Sequence, residues 1–287
     1  MPEPTPVVSA AKHLSSVMLF QFTDLHLFPS RDGKLLGINT FDSLQQVFEL
    51  ALEQEDIPDA ILATGDLAQH ATAETYHLLQ SCFETFCRQL RKTESAPLIP
   101  VYWLAGNHDE VEMMASHPVT EPINPANAFK IKEWQVLMLN SNVPGEVHGR
   151  LTVEELNRLD QALAQNPDRF TLVCLHHNPV PTTDDWMGEI GLHEADHFFE
   201  VIDRHSNVKG IVWGHIHQEF VGTRKGVLML ATPSTCFQFK PNSVEFALDH
   251  INPGFRWIQL LANGDIRTGL HRVKDFKQKA ERKSKGY

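Results

Sequence analysis

Residues 17–26 read Val17-Met18-Leu19-Phe20-Gln21-Phe22-Thr23-Asp24-Leu25-His26. The first six form a mostly apolar run of strand length, and the run stops on residues that bind cations rather than pack. The same figure recurs four times. Residues 60–64 end in Gly65-Asp66, 98–105 in Gly106-Asn107-His108-Asp109, 170–175 in His176-His177, and 208–213 in Gly214-His215-Ile216-His217. Between them, residues 42–55, 73–92, 152–165 and 193–205 have helical texture, and Thr152 with Glu155 makes a capping-box signal. Strands alternating with helices predict an α/β protein. Ligands of open α/β sheets gather outside the carboxyl ends of the strands, so five such ends predict one shared crevice.

A lone Asp-x-His or Gly-Asp is more often a turn than a ligand. The five together are not explained by turns. In extended chain, residues i and i+2 point to the same side, so Asp24 and His26 are expected to address one metal together, as are His215 and His217. Asn107 and His108 are adjacent and project in different directions, which lets one ligate while the other reaches a substrate. Gly65, Gly106 and Gly214 stand where the backbone must turn tightly or approach closely. Carboxylate, imidazole and amide oxygen without thiolate suit Mn, Fe, Zn or Co better than a structural zinc site. Seven ligands suit two ions better than one, with Asp66 in a middle strand placed to bridge them.

The rest of the chain sets bounds. Its 287 residues, 42% hydrophobic, suit one large domain over residues 17–271, after a loose leader at 1–16 and before a basic, solvated tail at 272–287. Beyond residue 217, short alternating runs at 219–223, 226–231, 236–239, 256–261 and 266–271 read as antiparallel strands, with a hairpin at Asn263-Gly264. A formal charge of -11 argues against a protein that tracks nucleic-acid phosphates. Cys82, Cys87, Cys174 and Cys236 form no CxxC pair, and neither an export signal nor a membrane span is visible; a reducing cytoplasm is expected.

In order and spacing, Asp24-x-His26, Gly65-Asp66, Gly106-Asn107-His108-Asp109, His176 and Gly214-His215-x-His217 resemble the five-motif signature of the calcineurin-like metallophosphoesterases. The resemblance implies a four-layer αββα sandwich of two packed mixed sheets flanked by helices. It assigns Asp24, His26, Asp66 and His217 to one metal and Asp66, Asn107, His176 and His215 to the other, with His108 facing the substrate. Where relatives read His-His-Pro, this chain reads His176-His177-Asn178-Pro179. The strand end favours His176 as the ligand and leaves His177 as the alternative. Segments 23–28, 35–40, 63–69, 214–219 and 231–236 are further similar to the bacterial class III 3′,5′-cyclic AMP phosphodiesterases.

The expected reaction is therefore hydrolysis of cyclic AMP to 5′-AMP by a hydroxide bridging two metal ions, iron and manganese foremost and zinc, cobalt or magnesium also suitable. His108 is expected to protonate the leaving oxygen and Asp109 to orient it, with Asn107, His108 and His26 meeting the substrate. Rim candidates lie at 36–40, 184–193 and 232–239. Phe28, Trp186, Phe237 or Phe239 are candidates to stack on a purine, and His193 to touch the rim, while His70, His77, His117 and His148 are expected to be solvated or satisfied locally. The partner is a small cyclic nucleotide, with neither nucleic acid nor membrane, and a homodimer through the C-terminal strands is compatible with the sequence. The competing readings are another phosphate ester as substrate, a binding scaffold without turnover, or a nuclease. The complete ligand set disfavours the scaffold and the acidic balance disfavours the nuclease.

Overall fold

A computed structural model describes residues 16–281. Twelve strands make the two main sheets: β1 Val17–Phe22, β2 Ala60–Thr64, β3 Val101–Leu104, β4 Ile123–Asn124, β5 Ala128–Ile131, β6 Trp134–Met138, β7 Phe170–Cys174, β8 Val208–Trp213, β9 Phe220–Arg224, β10 Val227–Ala231, β11 Gly254–Leu260 and β12 Ile266–Arg272. The helices are α1 Thr40–Leu52, α2 Ala73–Leu90, α3 Val111–Ser116, α4 Val153–Ala164 and α5 Ala195–Ile202. One sheet runs β12-β11-β1-β2-β3-β4 and the other β9-β10-β8-β7-β6-β5. The neighbours β1-β2-β3 are parallel, as are β6-β7-β8, so the ligand-bearing ends of both sheets lie at carboxyl edges.

Strand periodicity sorts the side chains into layers. Val17 and Leu19, Ala60 and Leu62, and Ile258 and Leu260 face Trp134, Val136, Leu172, Val212 and Leu230 in a core between the sheets. The alternate residues Phe20, Phe22, Ile61 and Ala63 pack beneath α1 and α2 with Phe48, Phe83 and Phe86. On the other side Val173, Ile211, Trp213 and Met229 lie beneath α4 and α5 with Leu159, Phe198 and Ile202. The four layers are those expected. Thr152 caps α4 by accepting from the Glu155 amide, and 261–265 closes the predicted hairpin between β11 and β12.

Three expectations need correction. The strand β6, buried along its whole length, is an interior strand between β7 and the edge strand β5, in addition to the five expected apolar runs. Among the strands after residue 217, β10 is parallel to β8 and only its pairing with β9 is antiparallel. The tail does not begin as a solvated segment: β12 reaches Arg272, Phe276 and Ala280 pack into the outer core, and Gln278 accepts from the Asn39 amide. Residues 282–287, like the leader at 1–15, lie outside the described residues. No helix among the described residues is long and apolar enough to cross a membrane.

Candidate metal centre

The inter-sheet core turns polar at one edge, and the turn is visible strand by strand. The inward row of β1 runs Val17, Leu19, Gln21; that of β2 runs Ala60, Leu62, Thr64; that of β10 runs Leu228, Leu230, Thr232. In β7, Leu172 and Cys174 are followed at the next inward position by His176, which therefore reaches between the sheets. Its Nδ1 donates to the Thr64 carbonyl at 2.9 Å. Gly106 occupies the corresponding place beyond β3, where a Cβ would overlap the Asp66 carboxylate.

The ligand loops are not extended, which corrects the expected reason for the convergence of Asp24 with His26 and of His215 with His217. Asp24, His26, Asp66, His215 and His217 have positive φ angles of 53°, 47°, 48°, 66° and 46°. Left-handed backbone is unfavourable for residues with a Cβ and persists where the surroundings impose it. Here the Asp24 amide donates to Gly65 O, the His26 amide to Asp66 O, and the His215 amide to the Asp24 carboxylate at 3.0 Å. Those bonds fold the strand ends over one another and turn the side chains inward.

All seven predicted ligands meet in one cluster. On one side His26 Nε2 and His217 Nε2 are 3.1 Å apart, His217 Nε2 is 3.4 Å from Asp24 Oδ1, and His26 Nε2 is 3.7 Å from Asp66 Oδ2. On the other, His176 Nε2 lies 3.4 Å from Asp66 Oδ1 and 3.2 Å from Asn107 Oδ1. His215 packs edge-on against His176 with ring centroids 5.1 Å apart. The two oxygens of Asp66 thus face opposite halves. His26 Nδ1 donates to Gln69 Oε1 and His217 Nδ1 to the Phe237 carbonyl, so both Nε2 atoms are turned toward each other and toward the carboxylates. Two imidazole nitrogens at that separation, beside two carboxylates, fit a cation between them. Oriented imidazoles of this kind are the usual support of metal ligands.

The electrostatics agree. Burial opposes ionisation of Asp24 and Asp66, yet His217 and His176 beside them hold both carboxyls below the usual range. Burial takes His26 down to about 3 and His215 likewise to about 3, leaving neutral donors. His176 is the exception: burial is outweighed by Asp66 and Asp24, which raise it to about 9. His177 is buried beside it, but Ser141 Oγ occupies its Nδ1 at 2.8 Å and the Val147 carbonyl its Nε2 at 3.2 Å. Of the two neighbours, His176 turns a nitrogen to the cluster.

Asn107 and His108 are half-buried at the mouth. The His108 amide donates to Asp66 Oδ1 at 2.9 Å, and its ring meets His26 edge-on at 5.0 Å. Asp109 does not fill the role of orienting His108. Its carboxylate is buried and accepts from the amides of Gly106, Leu67 and Ala68 and from the Tyr76 hydroxyl. It clamps the loops after β2 and β3 together. Asn142 was missed: its Nδ2 donates to the carbonyls of Gly106 and Asp109 and holds the loop that carries Asn107 and His108. The signal was available, since β6 also ends in a polar run, Asn140-Ser141-Asn142.

The aromatic candidates divide. Phe237 and Phe239 are buried, packed on His26 and His217, and so wall the cluster rather than offer a free face. Trp186 packs edge-on against Phe239 and Phe246, and Phe28 against His70. His193 is exposed and stacks on His148 at 3.9 Å, on a ribbon where Leu192 and His193 pair with Gly149 and Arg150. The Val147 and Ile190 carbonyls beside this ribbon bind His177 and His215, so the ribbon is tied to the cluster.

Residues 18–219 match the family model described as calcineurin-like phosphoesterase. The chain is 39% identical to the 3′,5′-cyclic adenosine monophosphate phosphodiesterase CpdA of Pseudomonas aeruginosa, covering 95% of this chain and 96% of that protein. It is 39% identical to the protein of the same name from Escherichia coli K12, covering 94% and 95%. A 3′,5′-cyclic-nucleotide phosphodiesterase from Nostoc is 35% identical over 90% and 92%. Among solved structures, a dimetal phosphatase from Danio rerio superposes with a TM-score of 0.54 at 12% identity, covering 90% of this chain and 99% of that one. That likeness extends to the fold.

Proposed function

The chain belongs to the calcineurin-like phosphoesterase family, and from that premise we propose that it hydrolyses 3′,5′-cyclic AMP to 5′-AMP at the Asp24–His217 cluster. The observation that carries the reading is the pair of facing imidazole nitrogens, His26 Nε2 and His217 Nε2, closed by two buried carboxylates. Asp24, His26, Asp66 and His217 would hold one ion and Asp66, Asn107, His176 and His215 the other. Two bound ions, iron and manganese foremost, would activate water and neutralise charge building on the phosphoryl oxygens. Asp66 keeps the halves together, because its oxygens face opposite sides and one also accepts the His108 amide.

His108 is the proposed proton donor to the leaving 3′-oxygen. Its half-buried ring at the mouth reaches a substrate while its backbone is fixed to Asp66. Asn107 and His26 line the same approach. Substrate selectivity rests on the relatives: those from Pseudomonas and Escherichia carry cyclic AMP in their names, and the Nostoc relative carries cyclic nucleotides more broadly. Four free, buried cysteines favour a cytoplasmic location.

The test compares specificity constants of metal-reconstituted protein for cyclic AMP, cyclic GMP, 2′,3′-cyclic AMP and an aryl phosphodiester. Cyclic AMP is expected to lead. A leading aryl diester would overturn the substrate, and absence of turnover with every metal would overturn the activity. His108→Ala is expected to lower the rate ~10²–10⁴-fold at full metal occupancy.

A further inference from the structure

Arg256 lies in β11 and is 1% exposed, with no carboxylate at ion-pair distance among the described residues. It continues the inward row Leu260, Ile258, Arg256 at the edge where the core becomes polar. Its partners are neutral oxygens: Nε donates to Thr232 Oγ1 at 3.1 Å, Nη2 to the Ala231 carbonyl at 2.8 Å and Nη1 to Thr268 Oγ1 at 3.1 Å. Burial lowers its pKa to about 10, so it remains a cation at neutral pH. Glu219 acts on it from beyond ion-pair distance, and a buried cation without a paired carboxylate destabilises a fold unless its bonds do something a neutral side chain would not.

Those bonds have a fixed direction, and it passes from residue to residue. A guanidinium donates and cannot accept. With its oxygen accepting from Arg256, Thr232 donates to Gln21 Oε1 at 2.6 Å. That fixes the Gln21 amide, whose Nε2 donates to Thr64 Oγ1 at 2.9 Å and to the Trp213 carbonyl at 3.3 Å. Thr64 in turn accepts His176 Nδ1 through its carbonyl. Arg256 and Gln21 are direct partners in the β11-β1 ladder, whereas Ala231 and Thr232 belong to the opposite sheet. The chain of bonds therefore crosses between the sheets more than once. It ends on Thr64, which precedes Gly65-Asp66, and on Trp213, which precedes Gly214-His215.

We propose that Arg256 is a positioning residue that, through Thr232 and Gln21, fixes the spacing between the ligands carried by the two sheets. Asp24, Asp66 and Asn107 follow strands of one sheet, and His176, His215 and His217 follow strands of the other. The bonds of this polar layer are directed, so lateral register at this edge depends on them as well as on apolar packing. The inference rests on the two-metal reading of the cluster.

The test titrates metal-free full-length protein with Mn²⁺ by calorimetry, alongside kcat and KM for cyclic AMP. Arg256→Met and Thr232→Val are each expected to weaken Mn²⁺ binding ~10–100-fold, the range for groups that orient metal ligands. Both should lower kcat while leaving KM within about twofold, because neither residue approaches the mouth, and the double variant should be no worse than the more affected single one. Thr232→Ser, which keeps the hydroxyl, should restore wild-type binding. Wild-type Mn²⁺ affinity and kcat in folded Thr232→Val would overturn the proposal, even if Arg256→Met fails to fold. Absence of Mn²⁺ binding by the wild type would instead overturn the two-metal reading.

Discussion

The Tyr76 hydroxyl donates to Asp109 Oδ1 at 3.0 Å, joining α2 to the clamp beneath the metal centre. Burial and the neighbouring Asp66 push Asp109 up to about 6, so at pH 7.5 its carboxylate is ionised and its bonds are charge-assisted. Tyr76→Phe removes one donor and is expected to cost ~1.5–3 kcal/mol of stability. Asp109→Asn should cost more, because each carboxylate oxygen accepts from two donors and an amide nitrogen would face one such pair in either orientation. Urea denaturation at pH 7.5 checks the order. Equal stability of Asp109→Asn and wild type would exclude the clamp.

His176 and His177 are adjacent in sequence and differ in what their nitrogens can do. His176 keeps Nε2 toward Asp66 and Asn107, while both nitrogens of His177 are engaged, by Ser141 and Val147. His176→Ala is expected to bind one fewer metal ion per chain by elemental analysis and to lose at least ~10²-fold in kcat. His177→Gln should retain the full metal complement. Its cost should appear as ~1–3 kcal/mol of stability from buried groups left unpaired. The reverse pattern would exchange the two assignments.

The ligand residues were legible because each sits where an apolar run stops, and β1 and β8 have the predicted bounds. Their geometry was not, since Asp-x-His carries no sign that both residues will be left-handed. The strand β6 is less conspicuous because Trp134-Gln135-Val136-Leu137-Met138 is followed by Leu139 and then Asn140-Ser141-Asn142, which contain neither carboxylate nor imidazole. Nothing in the sequence marks Arg256 or Gln21 as buried polar positions. Only the second sheet, packed across them, reveals that they face inward. Sequence patterns report which residues alternate, but not which face another layer will cover.

Gly65 combines a φ of +90° with close approach to a ligand. A Cβ there would overlap the His176 ring and would add the strain of left-handed backbone. Gly65→Ala is therefore expected to displace His176 and weaken metal binding at its half of the cluster, with ~2–4 kcal/mol lost from stability. Calorimetric metal titration and thermal melts test both effects. Wild-type affinity together with wild-type stability would mean that the loop relaxes freely, contrary to the bonds that hold it.

The four cysteines offer a check on the packing that does not involve the metal centre. Burial pushes Cys82, Cys87 and Cys236 up to about 12 and Cys174 higher still. Alkylation proceeds through the thiolate, and a thiol at about 12 holds only ~10⁻⁴ of that form at pH 8, against roughly a quarter for a free cysteine near 8.5. Low thiolate population and burial act in the same direction. Native protein in iodoacetamide at pH 8 is therefore expected to take up no label over an hour by mass spectrometry, and four labels in guanidinium. Because Cys82 and Cys87 lie on the buried face of α2, Cys174 between the sheets and Cys236 behind Asp24, a single fast-reacting thiol would identify the layer that opens in solution.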